Sequence, residues 1–525
     1  MPRPLPVRGV IEGFYGPPWA PEARVALIEF VAEHGMNAYV YAPKSDPKHR
    51  DRWREPYNEH ESSHFRVLAT RSAECGVQFG FAISPGLDVD YAASHDREAL
   101  LAKVAPILDQ GVGWVVLALD DIPTRPGLAA EQAVLATWLL DALSNHRPDV
   151  RLTLVPTEYV GTRPTPYLRD LGAGLPAAVD VMWTGPTVCS PTISAREARA
   201  WASALGGRKA LLWDNYPVND GPMERSLHLG PYRGRAAELS DELGGVLCNP
   251  MTQAHASRVA LATAADYLAD PSSYDAGASW RRAVDNVGGV RAPALGALAA
   301  ACEDGPLLPA AHLVAHRLVA AVAETITGPD WIPPVAELRD HFLAVREAAR
   351  AWSDSPSDQL GRELEPWLGQ GRAEAGAGLA ALRLLQQLRP VASPLGAPAA
   401  SSALAPNAEL ALMHVFGLVL AWSAAMSAGD RVVFGPRFAV YPAVIQLSDG
   451  RPGLDVDLAV VEDGSAIDRV CRLALEQYRD WSALPPGDAR VSRSSNAEVL
   501  VECGPLSTRL GRAAGGLPFP DARLG

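Results

Sequence analysis

Through the first half of the chain, short apolar runs recur at near-regular intervals. Each gives way to a polar or Gly/Pro-rich stretch and then to an Ala/Leu/Arg segment of helical period. Eight such runs lie between Val7 and Asn249: VRGVI (7–11), MNAYVYA (36–42), VQFGFAI (77–83), WVVLAL (114–119), RLTLVP (151–156), VDVMW (179–183), KALLW (209–213) and GVLCN (245–249). A mean repeat of roughly 34 residues accommodates a strand, a loop and a helix. The runs are almost continuously apolar, as parallel strands must be when helices cover one side and a packed interior the other. The pattern predicts an α/β fold, a (β/α)8 TIM-type barrel. Helix signals agree with it: Pro21 to His34 starts on proline and stops at Gly35, and Arg97 to Gln110 is closed by Gly111.

After about Asp270 the rhythm changes to long helical segments, including Ala292 to Cys302, Pro309 to Thr325 and Leu338 to Trp352, with no strand between them. The domains expected are therefore a catalytic barrel over 1–275, a helical domain over 276–392 and a small mixed α/β region over 407–525. RPVASPLGAPAASSALAP (389–406) reads as a linker before the last region, whose RFAVYPAVIQL and LDVDLAVVED look like strands. The apolar stretch Leu410 to Met426 carries His414 and Gly417 and is short for a bilayer span, so a buried helix is expected.

Composition narrows the partners. In 525 residues, 60 acidic against 47 basic side chains leave a net charge of −13. That argues against nucleic acid or an anionic membrane as the main partner, since both require clustered basic residues. Six scattered cysteines, Cys75, Cys189, Cys248, Cys302, Cys471 and Cys503, show no metal or disulfide spacing. They read as reduced thiols, and with no apolar segment in MPRPLPVRGVIEGFYG a cytoplasmic location is expected.

Catalytic groups of such barrels sit on loops after the C-terminal strand ends. Here those ends carry EGFYGPPW, YAPKSDPKHR, SPGLDVDY, DDIP, PTEYVGT, WTGP, WDNYPVND and NP, in strand order. These are more polar and aromatic than turns require. Asp120 and Asp121 end the most apolar strand, and strand alternation would turn one carboxylate inward over the mouth and the other sideways. A conventional retaining glycosidase holds its two carboxyl groups about 5–5.5 Å apart on either side of the sugar. Sequence neighbours suit that poorly. They suit a substrate that supplies its own nucleophile, a 2-acetamido oxygen, with one aspartate orienting the acetamide and the other protonating the leaving oxygen.

In this order EGFYG, YAPK, SPGLD, LDDI, PTEY, MWTGP, WDN with ND, LGPY and NP resemble glycoside hydrolase family 84, the O-GlcNAcase and hyaluronidase-like β-N-acetylglucosaminidases. The resemblance covers roughly residues 7 to 270 and implies retaining, substrate-assisted exo-hydrolysis of terminal β-linked N-acetylglucosamine without metal or cofactor. It makes Asp120 the residue that polarises the acetamido group and Asp121 the general acid/base. Gly13 would offer backbone to sugar hydroxyls, and Lys44 would bond a hydroxyl or ring substituent. Asn215, Asp220 and Asn249 would anchor further hydroxyls and the acetamide, while Tyr159 and Trp213 would wall the acetamide pocket. For its role, Asp121 is expected to be protonated near neutral pH, aided by its pocket and by the charge on Asp120. After NP the chain continues MTQAHASR, a departure from the family pattern that leaves the aglycone side of that loop open.

Other readings remain. His60 to His64 matches HExxH, but with two serines, a position at a helix start and no third ligand it does not read as a zinc site. GAGLAA at Gly376 lies inside a helical stretch without a preceding strand and reads as helix packing, not as a dinucleotide fingerprint. An endo-acting, hyaluronidase-like glycosidase and a non-catalytic glycan-binding barrel are the alternatives, and strand-end loops that read as short favour exo action. The partner expected is an N-acetylglucosamine-containing glycoside or glycoprotein, with no nucleic acid, no membrane and a homodimer through the helical C-terminal region.

Overall fold

The computed structural model describes residues 4–302, 314–353, 358–388, 408–435, 444–447, 455–457, 464–482, 489–493, 499–503 and 506–510. They fall into two compact units, Met1–Gly289 and Val290–Gly525.

The first unit is a closed parallel barrel of eight strands in sequential order. These are β1 (Val7–Glu12), β2 (Ala38–Tyr41), β3 (Gln78–Ile83), β4 (Trp114–Ala118), β5 (Arg151–Val155), β6 (Asp180–Trp183), β7 (Ala210–Asp214) and β8 (Leu243–Cys248). Closure comes from β8 pairing with β1, Val7 opposite Gly245 and Val10 opposite Cys248. Each strand lies within a predicted apolar run or overlaps it closely. Inward side chains such as Ile11, Val40, Trp114, Val116, Met182, Leu211 and Leu247 pack into one core that fills the barrel.

Helices α1 (Pro21–Glu33), α2 (Glu59–Glu74), α3 (Ser94–Leu108), α4 (Leu128–His146), α5 (Pro166–Gly174) and α6 (Ala195–Ala204) make the first six crossovers, and α7 (Ala254–Ala269) follows β8. Their starts are chemically marked. Asn58 with Glu61 and Ser194 with Glu197 form capping boxes, and the Thr165 side chain accepts from Leu168 N. The β7–β8 crossover departs from the predicted repeat. It has a long irregular segment and a 3-10 helix, Ala237–Glu242, in place of an α-helix. With residues 42–58 after β2, it also shows that two strand-end loops are long, so loop shortness does not support exo action.

Helix α8 (Ala276–Gly288), expected to open the helical domain, packs instead on the barrel unit. Trp280 Nε1 donates to Leu229 O at 2.7 Å and Ser279 Oγ to Asp266 Oδ2 at 2.6 Å. The second unit contains α9 (Ala292–Ala301), α10 (Val314–Thr325), α11 (Ile332–Ser353), α12 (Gln359–Leu388), α13 (Ala408–Ser427) and α14 (Ala466–Ser482). An antiparallel sheet joins them, in the order β10 (Asp455–Asp457), β9 (Val444–Leu447), β11 (Ala489–Arg493), β12 (Val499–Cys503), β13 (Leu506–Leu510). Both α13 and α14 meet α12, with Gln370 Nε2 donating to Ala425 O at 3.0 Å, so they share its unit. The predicted linker, 389–406, lies outside the described residues. Helix α13 is not buried all round: Val415, Leu418 and Trp422 are covered, whereas Met413 and Leu420 are exposed. Among the described residues, no helix is long and apolar enough to cross a membrane.

Candidate active site

All nine residues singled out by sequence line one cavity of about 130 Å³ at the C-terminal mouth of the barrel. The ends of β1, β2, β4, β5, β6, β7 and β8 all contribute to it. The β1 end is held rigidly. Glu12, fully buried, accepts from Arg24 Nε and a second Arg24 nitrogen at 2.8 Å each and from the Tyr39 hydroxyl at 2.5 Å.

Asp120 is 5% exposed, and its Oδ2 pairs with Lys44 Nζ at 2.5 Å. Its other oxygen, Oδ1, is buried without a hydrogen-bond partner. Such an acceptor is costly to leave unsatisfied unless a ligand supplies a donor. The Lys44 ammonium also lies 5.6 Å from the Trp213 ring centroid.

Asp121 accepts from the Tyr15 hydroxyl on Oδ2 at 2.7 Å and from the Tyr159 hydroxyl on Oδ1 at 2.8 Å. Two expectations change here. Both carboxylates face the same cavity because the pair lies beyond the end of β4, where strand alternation no longer applies. Asp121 has φ 57°, the one non-glycine positive φ among the described residues, a conformation that concentrates at functional sites. Nor is free Asp121 poised protonated. Burial pushes its carboxyl up, but the Lys44 charge, the two tyrosine hydroxyls and Arg50 together hold it below the usual carboxylate range.

Asn215 acts as a hub. Its Oδ1 accepts from Trp213 Nε1 and Asn249 Nδ2, both at 2.9 Å, and its Nδ2 donates to Val188 O at 2.7 Å. Asn249 Oδ1 in turn accepts from Gly13 N at 3.1 Å, so any backbone contribution of Gly13 to a sugar falls to its carbonyl. Asp220 Oδ2 accepts from Tyr15 N at 2.7 Å, and burial, with the Asp121 charge adding to it, raises the Asp220 carboxyl.

Sequence reasoning missed Tyr15, Val155, Thr184, Val188, Cys189 and Val218, which also line the cavity. Tyr15 had a signal, its place in EGFYG. Cys189 has none beyond following MWTGP, and burial raises its thiol to about 11, so it is a poor nucleophile. The HExxH histidines sit in the first turns of α2, and Glu61 is spent on Asn58 N at 2.7 Å and Lys48 Nζ at 2.6 Å. Among the described residues no three His, Cys, Asp or Glu side chains are grouped to hold a metal. A larger hollow of about 610 Å³, lined by Asp88–Ala92, Arg97, Arg125, Ala130, Glu131 and Val134, contains none of the predicted residues, and its Arg125 is paired with Glu131.

A parallel barrel whose mouth holds a small polar cavity with a carboxylate pair has the architecture of a glycoside hydrolase, and its family match places the chain in that class. The family model described as beta-N-acetylglucosaminidase matches residues 8–300, and the chain belongs to that family, glycoside hydrolase family 84. Two curated relatives, both called Protein O-GlcNAcase, from Rattus norvegicus and Mus musculus, are each 36% identical over 273 residues. The match covers 49% of this chain and 29% of theirs, so the chain aligns with under a third of the length of these relatives. A solved structure of a Thermobaculum terrenum O-GlcNAc hydrolase mutant is similar at a TM-score of 0.76 and 29% identity, covering 93% of this chain and 100% of that one.

Proposed function

We propose that this chain is a retaining exo-β-N-acetylglucosaminidase in which the substrate's acetamido oxygen attacks C1 and an oxazoline forms. The observation that carries this reading is Asp120 Oδ1, a buried acceptor with no protein partner beside an oxygen already fixed by Lys44. An acetamide N–H is the donor it suits, and charge on Asp120 would stabilise the oxazolinium as it develops. Asp121 would protonate the leaving oxygen and then activate water. The small cavity favours one terminal sugar over a polymer threaded through the site. The names of the relatives make Ser/Thr-linked N-acetylglucosamine on proteins the first substrate class to test, and the five described cysteines, all free, support a cytoplasmic setting.

The test is hydrolysis of aryl glycosides of β-N-acetylglucosamine, β-N-acetylgalactosamine and β-glucose by the chain and by its Asp120→Asn and Asp121→Asn variants. Turnover is expected on acetamido sugars alone. Asp121→Asn should lose on the order of 10²–10⁴-fold with poor leaving groups and far less with activated ones, whereas Asp120→Asn should lose rate on all alike. Turnover of the plain glucoside would indicate a conventional nucleophile and end the proposal.

A further inference from the structure

Tyr15 touches two carboxylates of the site, yet the mechanism above gives it no task. Its hydroxyl donates to Asp121 Oδ2 and its backbone N–H to Asp220 Oδ2, each at 2.7 Å. One residue thus bridges the acid and a carboxylate assigned to sugar hydroxyls. With Tyr159 on the other oxygen, both Asp121 oxygens are accepting from hydroxyls, an arrangement that favours the carboxylate and disfavours the protonated acid.

Resting on the glycosidase reading, we propose that Tyr15 is a positioning residue that ties protonation of Asp121 to occupancy of Asp220. A sugar hydroxyl docking on Asp220 competes with the Tyr15 N–H. Release of Tyr15 withdraws its hydroxyl from Asp121 Oδ2, which then takes a proton from solvent. That proton passes to the glycosidic oxygen as the C1–O bond breaks onto that oxygen and the acetamido oxygen bonds C1. The free enzyme thereby keeps Asp121 ionised, without a proton, until a sugar is seated.

The surroundings select Tyr15 for this task. The charged and titratable groups that act on Asp121 and its caps are Lys44 and Arg50 from the β2 side, Asp120 beside it, Tyr159 after β5 and Asp220 after β7. Lys44 is locked to Asp120, and Arg50 is buried with its guanidinium on Ser84 Oγ at 3.1 Å. Tyr15 is 45% exposed and is followed by Gly16 at φ 131°, backbone that glycine adopts freely. Of the groups biasing Asp121, it is the most exposed.

The test is a carboxyl ¹³C NMR titration of Asp121 in the full chain, assigned with Asp121→Asn, for wild type and Tyr15→Phe, each with and without N-acetylglucosamine. Tyr15→Phe keeps the ring, and its thermal unfolding verifies the fold. Removing the hydroxyl should move the Asp121 midpoint up by roughly half to one pH unit, the worth of one hydrogen bond. N-acetylglucosamine should move wild type upward too and the variant by less. An identical midpoint in the two free proteins overturns the proposal, as does bound sugar that leaves wild-type Asp121 unmoved. Because the titration needs no turnover, a Tyr15→Phe shift in a chain inert to every acetamido glycoside would support the hydroxyl cap while removing the enzyme reading.

Discussion

Gly13→Ala puts the packing of the Trp213 wall of the cavity to a quantitative test. A Cβ at this position would stand 2.1 Å from Trp213 Cζ2 and 2.7 Å from Cη2. Carbon contacts settle at about 3.5 Å, so the ring edge would have to retreat by roughly 1.4 Å. Trp213 is 5% exposed, packed with Ile11, Leu211 and Leu247, and held through Nε1 by Asn215, so the ring can retreat only by straining these contacts or by entering the cavity it lines. The displacement passes to Asn249 through Asn215 and to Lys44 above the ring. Misplacing a substrate wall by about 1 Å costs on the order of 10²-fold in rate, and overpacking costs roughly 1–3 kcal/mol. The assay is kcat/KM on an aryl β-N-acetylglucosaminide, with thermal unfolding alongside, where each kcal/mol is worth about 2–4 °C of Tm. Combining Gly13→Ala with Trp213→Phe, which removes the clashing ring, should lose less than the product of the two single losses. A Gly13→Ala protein within about threefold of wild type and with an unchanged Tm would refute the argument.

Three further outcomes follow from buried groups. His49 and His228 are fully buried, and burial lowers each to about 4, below the unfolded value near 6.5; the unfolded chain therefore binds the extra protons, and stability held above pH 6.5 is lost as pH falls toward 4. Denaturant titrations should show a loss on the order of 2 kcal/mol per histidine between pH 7 and 5, and a flat profile would contradict their neutral burial. Arg235→Ala leaves Asp214, bonded by Tyr232 at 2.5 Å, as a buried charge without its cation, and should cost roughly 3–5 kcal/mol by thermal unfolding. In α12, a Cβ on Gly378 meets Phe342 at 2.5 Å whereas Gly376 faces open space, so Gly378→Ala should destabilise by about 1–3 kcal/mol while Gly376→Ala is neutral or mildly stabilising.

Much of this was legible in one dimension. Parallel strands covered on both sides must be apolar throughout, so all eight announce themselves as runs, and the chain leaves each of them at the same end of the barrel. For that reason strand ends as distant as those carrying Gly13 and Asn249 could be expected at one mouth, while the choice of these two residues rested on the family resemblance. The close approach of Gly378 to Phe342 likewise fits the helix-packing reading of GAGLAA. The sequence did not disclose what those residues do to one another. Strand alternation could not foresee the positive φ of Asp121, because the backbone there is set by the loop beyond the strand. The Lys44 charge and the Tyr15 and Tyr159 hydroxyls, which reach Asp121 from loops 106 and 38 residues away, together with Arg50 reverse the direction expected from burial alone. That Asn215 is also tied to Trp213, Asn249 and Val188 could not be read from the sequence. Hydrophobic periodicity is a local property that survives in the sequence. Hydrogen bonds and electric fields depend on separations of a few ångströms between segments far apart in the chain, and only the folded barrel brings those segments together.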